Sequence, residues 1–106
     1  MDGLSDGLVE TNSIWVGNDP SGTTDDAEYN VALGTTALDA ITTGDMNTAV
    51  GYAALTSNTT GVRNTAYGYD ALYTNGTGGF NVAIGFQSLR SNTNGGSNTT
   101  IGYASL

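Results

Sequence analysis

The sequence predicts an all-β fold, a parallel β-solenoid of 17-residue coils, and three observations lead there. First, five segments align without a gap, each starting 17 residues after the last: NVALGTTAL from Asn30, NTAVGYAAL from Asn47, NTAYGYDAL from Asn64, NVAIGFQSL from Asn81 and NTTIGYASL from Asn98. Second, the glycines Gly44, Gly61, Gly78 and Gly95 keep the same period, so the linking half of each copy is in register too. Third, residues at the head of each copy alternate in character, Thr48 and Val50 against Ala49, Val82 and Ile84 against Ala83, which is the two-residue period of a strand. The spacing is too short for helical-pair repeats, and Gly, Asn and Thr are poor helix formers.

In chain order, residues 1–12 form an acidic lead-in with DGL at Asp2 and again at Asp6. Residues 13–106 hold six copies of the repeat, the last cut at Leu106. The first copy is degenerate: SIWVG from Ser13 keeps Val16 and Gly17 in register, while Asn18, Asp19, Pro20 and Gly22 make it irregular. An atypical first coil suits a solenoid, whose exposed strand edge would otherwise recruit other chains. Within each copy the reading is one short strand, a bend at a glycine such as Gly51 or Gly85, and a return along which a second strand brings a leucine back to the interior. Coils stacked at the ordinary strand spacing of about 4.8 Å would span roughly 29 Å.

This stacking sets like residues over like. The columns Leu33, Val50, Tyr67, Ile84, Ile101 and Leu38, Leu55, Leu72, Leu89, Leu106 are the expected core. Ala32, Ala49, Ala66 and Ala83 form a small face turned toward neighbouring chains. Asn30, Asn47, Asn64, Asn81 and Asn98 make an amide ladder at a turn, and Tyr52, Tyr69, Phe86 and Tyr103 stack as surface or subunit-seam aromatics. With only two or three apolar side chains per coil facing inward, the core is thin against a backbone ordering cost of about 1–2 kcal/mol per residue. Neighbouring chains would supply the missing buried area, and a closed ring does so with identical surfaces.

Composition narrows the function classes. Taken without its order, a chain this rich in Gly, Thr, Asn and Ser reads as a disordered linker, and periodicity overrides that reading. With no Cys and no His, it has no disulfide, no thiolate metal site and no evident base to activate a Ser or Thr hydroxyl, so no enzyme is expected. Net charge is −8 and the only cations are Arg63 and Arg90, which excludes a phosphate-binding footprint and with it nucleic acid. No apolar stretch approaches the ~20 residues of a membrane span, and the segment after Met1 has no signal-peptide pattern, so neither membrane insertion nor Sec-type export is expected. Nine of the ten carboxylates fall between Asp2 and Asp45, leaving Asp70 alone in the later part. Among them Asp25 with Glu28 is a carboxylate pair, and Asp19, Asp25, Asp26 and Glu28 are oxygen donors of the type calcium takes. Their spacing matches no calcium loop and a charged cap explains them, so no metal and no cofactor is expected. The Thr pairs at Thr42, Thr43 and Thr59, Thr60 hint at an ice-binding lattice, which breaks at Gly76. Three N-x-Thr sequons, at Asn58, Asn75 and Asn98, follow from composition alone.

NTAVGYAAL and NVAIGFQSL are similar to the head repeat of trimeric autotransporter adhesins, the YadA-like left-handed parallel β-roll. They resemble still more closely the NTAVGYxAL arrays of bacteriophage tail fibres, particularly those of marine and cyanobacterial phages. The resemblance covers residues 13–106. It implies a left-handed β-roll assembled as a homotrimer, and a structural and adhesive segment of a tail fibre on the virion that supplies rigid length and contributes to host attachment through a cell-surface glycan or protein. The alternatives it leaves are the head of a bacterial adhesin on the cell surface and a purely architectural filament. The period is longer than in many adhesin heads, and Leu stands where those heads often carry Ser.

Overall fold

The computed structural model describes residues 7–10, 12–17 and 26–106. Seven strands form one sheet in chain order: β1 (Gly7–Glu10), β2 (Ser13–Val16), β3 (Val31–Leu33), β4 (Thr48–Val50), β5 (Thr65–Tyr67), β6 (Val82–Ile84) and β7 (Thr99–Ile101). From β2 onward each strand pairs in parallel with the next at a displacement of 17 residues, Ala32 beside Ala49, Ala49 beside Ala66, Ala66 beside Ala83. The chain is therefore a parallel β-solenoid, with no helix among the described residues. Its principal extents are 39 × 23 × 16 Å, and the narrowest leaves room for one layer of side chains between opposite walls.

The first parallel strand is not a bare edge. β1 pairs with β2 in the antiparallel sense, Leu8 opposite Trp15, through a tight link in which Asn12 has φ 60°. The sequence predicts only an acidic lead-in there; a hairpin strand satisfies the outer backbone groups of β2.

The polarity of the strands is opposite to the sequence-based expectation. Ala32, Ala49, Ala66 and Ala83 are 0% exposed and line the lumen, so they do not face neighbouring chains. Leu33 is 48%, Tyr67 59%, Ile84 38% and Ile101 72% exposed, and Val50 is half-buried; this column is not the core but the outer face of the sheet. The reason is width. Leu38, Leu55, Leu72 and Leu89 are buried on the return and, with Ala37, Ala54 and Ala71, fill the lumen, leaving space opposite them for a methyl group only. Leu106 also departs from expectation, at 84% exposed on the far side of the last coil, where no further coil is stacked.

Among the described residues no second strand forms on the return. Instead the chain makes three consecutive turns, with Ala37 N–H donating to Gly34 O (3.2 Å), Asp39 N–H to Thr36 O (3.3 Å) and Ile41 N–H to Leu38 O (3.2 Å), repeated one and two coils later. The third residues of the first two turns, Thr36 and Leu38, have φ 58° and 53°, as have their equivalents Ala53, Leu55, Asp70, Leu72, Gln87 and Leu89 at 49–58°. A left-handed residue every second position cannot belong to a pleated strand. Axial hydrogen bonding continues regardless: Leu38 N–H donates to Ala54 O, Leu55 N–H to Ala71 O and Leu72 N–H to Ser88 O at 3.0–3.1 Å.

Two columns of buried asparagine tie the coils together. In the first, the backbone N–H groups of Asn47, Asn64, Asn81 and Asn98 each donate to the Oδ1 of the Asn one coil earlier, at 2.9–3.0 Å, and Ser13 Oγ accepts from Asn30 N–H to start the series. In the second, Asn75 Nδ2 donates to Asn58 Oδ1 (2.9 Å) and Asn92 Nδ2 to Asn75 Oδ1 (2.8 Å). Both columns converge on shared carbonyls: Gly61 O accepts from Asn47 Nδ2 and Asn58 Nδ2, Gly78 O from Asn64 and Asn75, Gly95 O from Asn81 and Asn92. Side-chain bonding of this kind lets a buried polar group be satisfied at every level.

Glycine is required where coils approach most closely. At Gly51, with φ 128°, a Cβ would lie 2.7 Å from Gly68 O of the next coil, and at Gly61 it would lie 2.4 Å from Gly78 O. The two glycine columns of the sequence are thus the contact lines of the stack.

Candidate functional site

The described surface offers three repeating features, all set by the strand and its two borders. The outer sheet face presents Val31 and Leu33, Thr48 and Val50, Thr65 and Tyr67, Val82 and Ile84, Thr99 and Ile101 in successive coils. After each of β3 to β7 a positive-φ glycine swings the chain around the corner, and the next residue projects outward. There Tyr52, Tyr69, Phe86 and Tyr103 stack with ring centroids 5.1, 5.1 and 5.4 Å apart and planes within 17°. Before each strand lies a third column, Tyr29, Met46, Arg63, Phe80 and Ser97, every member exposed and left-handed at φ 56–61°. Arg63 places its guanidinium carbon 5.3 Å from the centre of the Phe80 ring.

The aromatic ladder is exposed, as a surface or seam column must be, but its geometry limits what it can grip. Each ring covers the face of the next, so between the ends only ring edges and hydroxyls reach outward. A sugar that stacks on an aromatic face would find one free only at the ends of the ladder.

A further polar cluster sits on the return. Arg90 Nε is 3.2 Å from Asp70 Oδ2, and the Arg90 guanidinium lies 4.7 Å from the Tyr73 ring centre. Arg90 is partly exposed, so the pair contributes at most about 1 kcal/mol. Neither this cluster nor the Asn58, Asn75, Asn92 column was read from the sequence as a unit. The 17-residue period of these asparagines is the signal for the column, although two of them, Asn58 and Asn75, also read as sequons. Asn58 and Asn75 are fully buried with their amides engaged in the ladder, so they are closed to modification in the folded coil.

The expected Asn30 to Asn98 ladder is buried or half-buried structure and presents no binding row. Of the acidic residues weighed as calcium donors, Asp19 and Asp25 lie outside the described residues. Asp26 is exposed, and the backbone N–H of Glu28 donates to Asp45 Oδ1 at 2.8 Å. Among the described residues no group of three or more His, Cys, Asp or Glu side chains is placed to hold a metal ion, and no helix is long and apolar enough to cross a membrane.

No family model, curated protein or solved structure matches the chain.

Proposed function

We propose that the chain is a structural segment of a trimeric bacteriophage tail fibre, its coils wound in the left-handed sense, giving rigid length and contributing to attachment to a host-surface glycan or protein. The observation that carries this reading is the outer sheet face. Five successive coils carry an apolar residue at one outward position, Leu33, Val50, Tyr67, Ile84 and Ile101, exposed in all but the half-buried Val50. A contiguous apolar stripe of this kind marks an association surface. Completing the burial of such half-exposed groups contributes on the order of 1 kcal/mol each, enough over five coils to offset a substantial part of the cost of association. Three copies turned inward about a common axis cover one another's stripes and leave none open. The closer likeness to tail-fibre arrays favours the virion over a bacterial surface as its place.

Two measurements test the reading. Sedimentation equilibrium should give three times the chain mass, and Ile84→Asp, which puts a carboxylate on the outer face while leaving the lumen untouched, should shift it to the single-chain mass with the β spectrum retained. Antibodies against the chain should label tail fibres on the virions encoding it; labelling confined to a bacterial surface would sink the tail-fibre assignment.

A further inference from the structure

We infer that the three chains close through a head-to-tail seam, in which the ladder following the strands of one chain packs, coil by coil, against the column preceding the strands of the next. This rests on the trimeric reading above. Strands β2 to β7 run across the solenoid axis and are parallel, so around a threefold axis along the solenoid they follow one another in a single rotational sense. The C-terminal border of each strand then meets the N-terminal border of the neighbouring chain's strand. Such an interface joins two different surfaces and closes after three steps.

The two borders are chemically matched at equal height. In the coil that starts at Asn81, the ladder residue is Phe86, the one ring of the stack without a hydroxyl, and the preceding column carries Phe80, a hydrocarbon ring. Where the ladder has a hydroxyl, the other border offers a polar or sulfur partner: Arg63 in the coil of Tyr69, Ser97 in that of Tyr103, Met46 in that of Tyr52. One coil earlier the pair is Tyr29 with Thr35, two hydroxyls. Because the ladder rings are stacked face to face, it is their edges that point outward. Edges suit a thioether, the face of another ring, or a guanidinium reaching the hydroxyl oxygen.

Within one chain the two columns cannot meet. Met46 and Tyr52 lie at opposite ends of β4, on the order of 15 Å apart at strand rise. Both columns are exposed in the single chain, and both repeat at the rise of the coil. A globular partner would match a few rungs; a second copy of this chain matches all of them by construction.

Cysteine cross-linking tests the seam, since the chain has no cysteine of its own. Under mild oxidation the Met46→Cys/Tyr52→Cys double variant should run as a covalent trimer on a non-reducing denaturing gel, at least tenfold more abundant than in either single variant. A second pair, Ser97→Cys/Tyr103→Cys, should behave alike at another height, and an intrachain disulfide is excluded because Cα atoms more than about 7 Å apart cannot be bridged. Circular dichroism checks the fold and sedimentation the mass of each variant. Single variants that cross-link to dimers as readily as the doubles would overturn the head-to-tail seam. So would a folded trimer in which neither double variant cross-links, while a folded monomer would overturn the trimeric reading and the seam with it.

Discussion

Asn64 and Asn58 occupy the two asparagine columns, and truncating them should have unequal effects that can be worked out bond by bond. Asn64→Ala removes acceptor bonds from Asn81 N–H (3.0 Å) and Asn81 Nδ2 (3.1 Å) and donor bonds to Asn47 Oδ1 (3.2 Å) and Gly78 O (2.8 Å). Three of the four partners keep another bond: Asn47 Oδ1 still accepts from Asn64 N–H, Gly78 O from Asn75 Nδ2, and Asn81 Nδ2 still reaches Gly95 O. The backbone N–H of Asn81 is left buried without an acceptor. An orphaned buried donor costs about 1–3 kcal/mol, and with the remaining lost bonds and the cavity the total is about 3–5 kcal/mol. Asn58→Ala orphans nothing, since Gly61 O keeps Asn47 Nδ2 and Asn75 Nδ2 keeps Gly78 O. It should cost about 1–2 kcal/mol, and Ile41, buried at the equivalent position one coil earlier, shows that an apolar group fits there. Urea denaturation followed by circular dichroism, at one chain concentration throughout, measures both. Equal losses, or a larger one at Asn58, would refute the accounting.

Gly51→Ala meets both a φ of 128° and a contact of 2.7 Å with Gly68 O and should cost at least about 3 kcal/mol, whereas Gly76→Ala, with nothing nearer than 3.9 Å, should stabilise by about 0.4–1 kcal/mol; thermal melts of the two variants should move in opposite directions. Gln87 sits at φ 58°, so Gln87→Gly should raise the melting temperature through relief of about 1 kcal/mol, and Gln87→Val, β-branched in the same conformation, should lower it. Ala49→Val forces two methyl groups into a full lumen and should cost about 1–3 kcal/mol, while Val50→Thr leaves the lumen untouched and, at a half-buried position of the outer stripe, should cost on the order of 1 kcal/mol; a larger loss for Val50→Thr than for Ala49→Val in chemical denaturation would turn the strand around.

Period and register were legible because they depend on identity alone. Asn47, Gly51 and Leu55 recur at fixed distance, and the structure stacks each on its equivalent. Strand polarity was not legible. Alternation shows that Ala49 and Val50 face opposite ways, but which way is inward depends on the width of the lumen, a property of the whole coil. The habit of placing the larger apolar residue inside chose Val50, and the leucines of the return had already taken that space. The turns of the return are not legible for another reason: their left-handed positions carry Thr, Leu, Ala, Asp and Gln, none of which announces a positive φ as glycine does. Among the candidate surface residues, the aromatic column was visible at its period, whereas the column before the strands was hidden because Tyr29, Met46, Arg63, Phe80 and Ser97 share no chemistry.

That contrast between uniform and varied columns carries information of its own. Three inward columns repeat without change over the body of the chain, Ala at 32, 49, 66 and 83, Leu at 38, 55, 72 and 89, Asn at 30, 47, 64 and 81, because each coil encloses the same cross-section and each ladder bond needs the same donor and acceptor above and below. Even the exception is compensated. Where Thr100 replaces the lumenal Ala, the opposing Ala has become Ser88, and the two hydroxyls hydrogen-bond to each other. The outward positions of the strand obey no such rule of identity, and a position that met only water would be free to turn polar, as the first of them does at Thr48, Thr65 and Thr99 while Val31 and Val82 stay apolar. The second outward position of the strand does not drift: it is Val, Leu, Val, Tyr, Ile and Ile from β2 to β7, varied in shape and apolar every time. Hydrophobicity held constant while shape is free is the constraint imposed by packing against a neighbouring surface, whereas stacking within the coil would demand like on like.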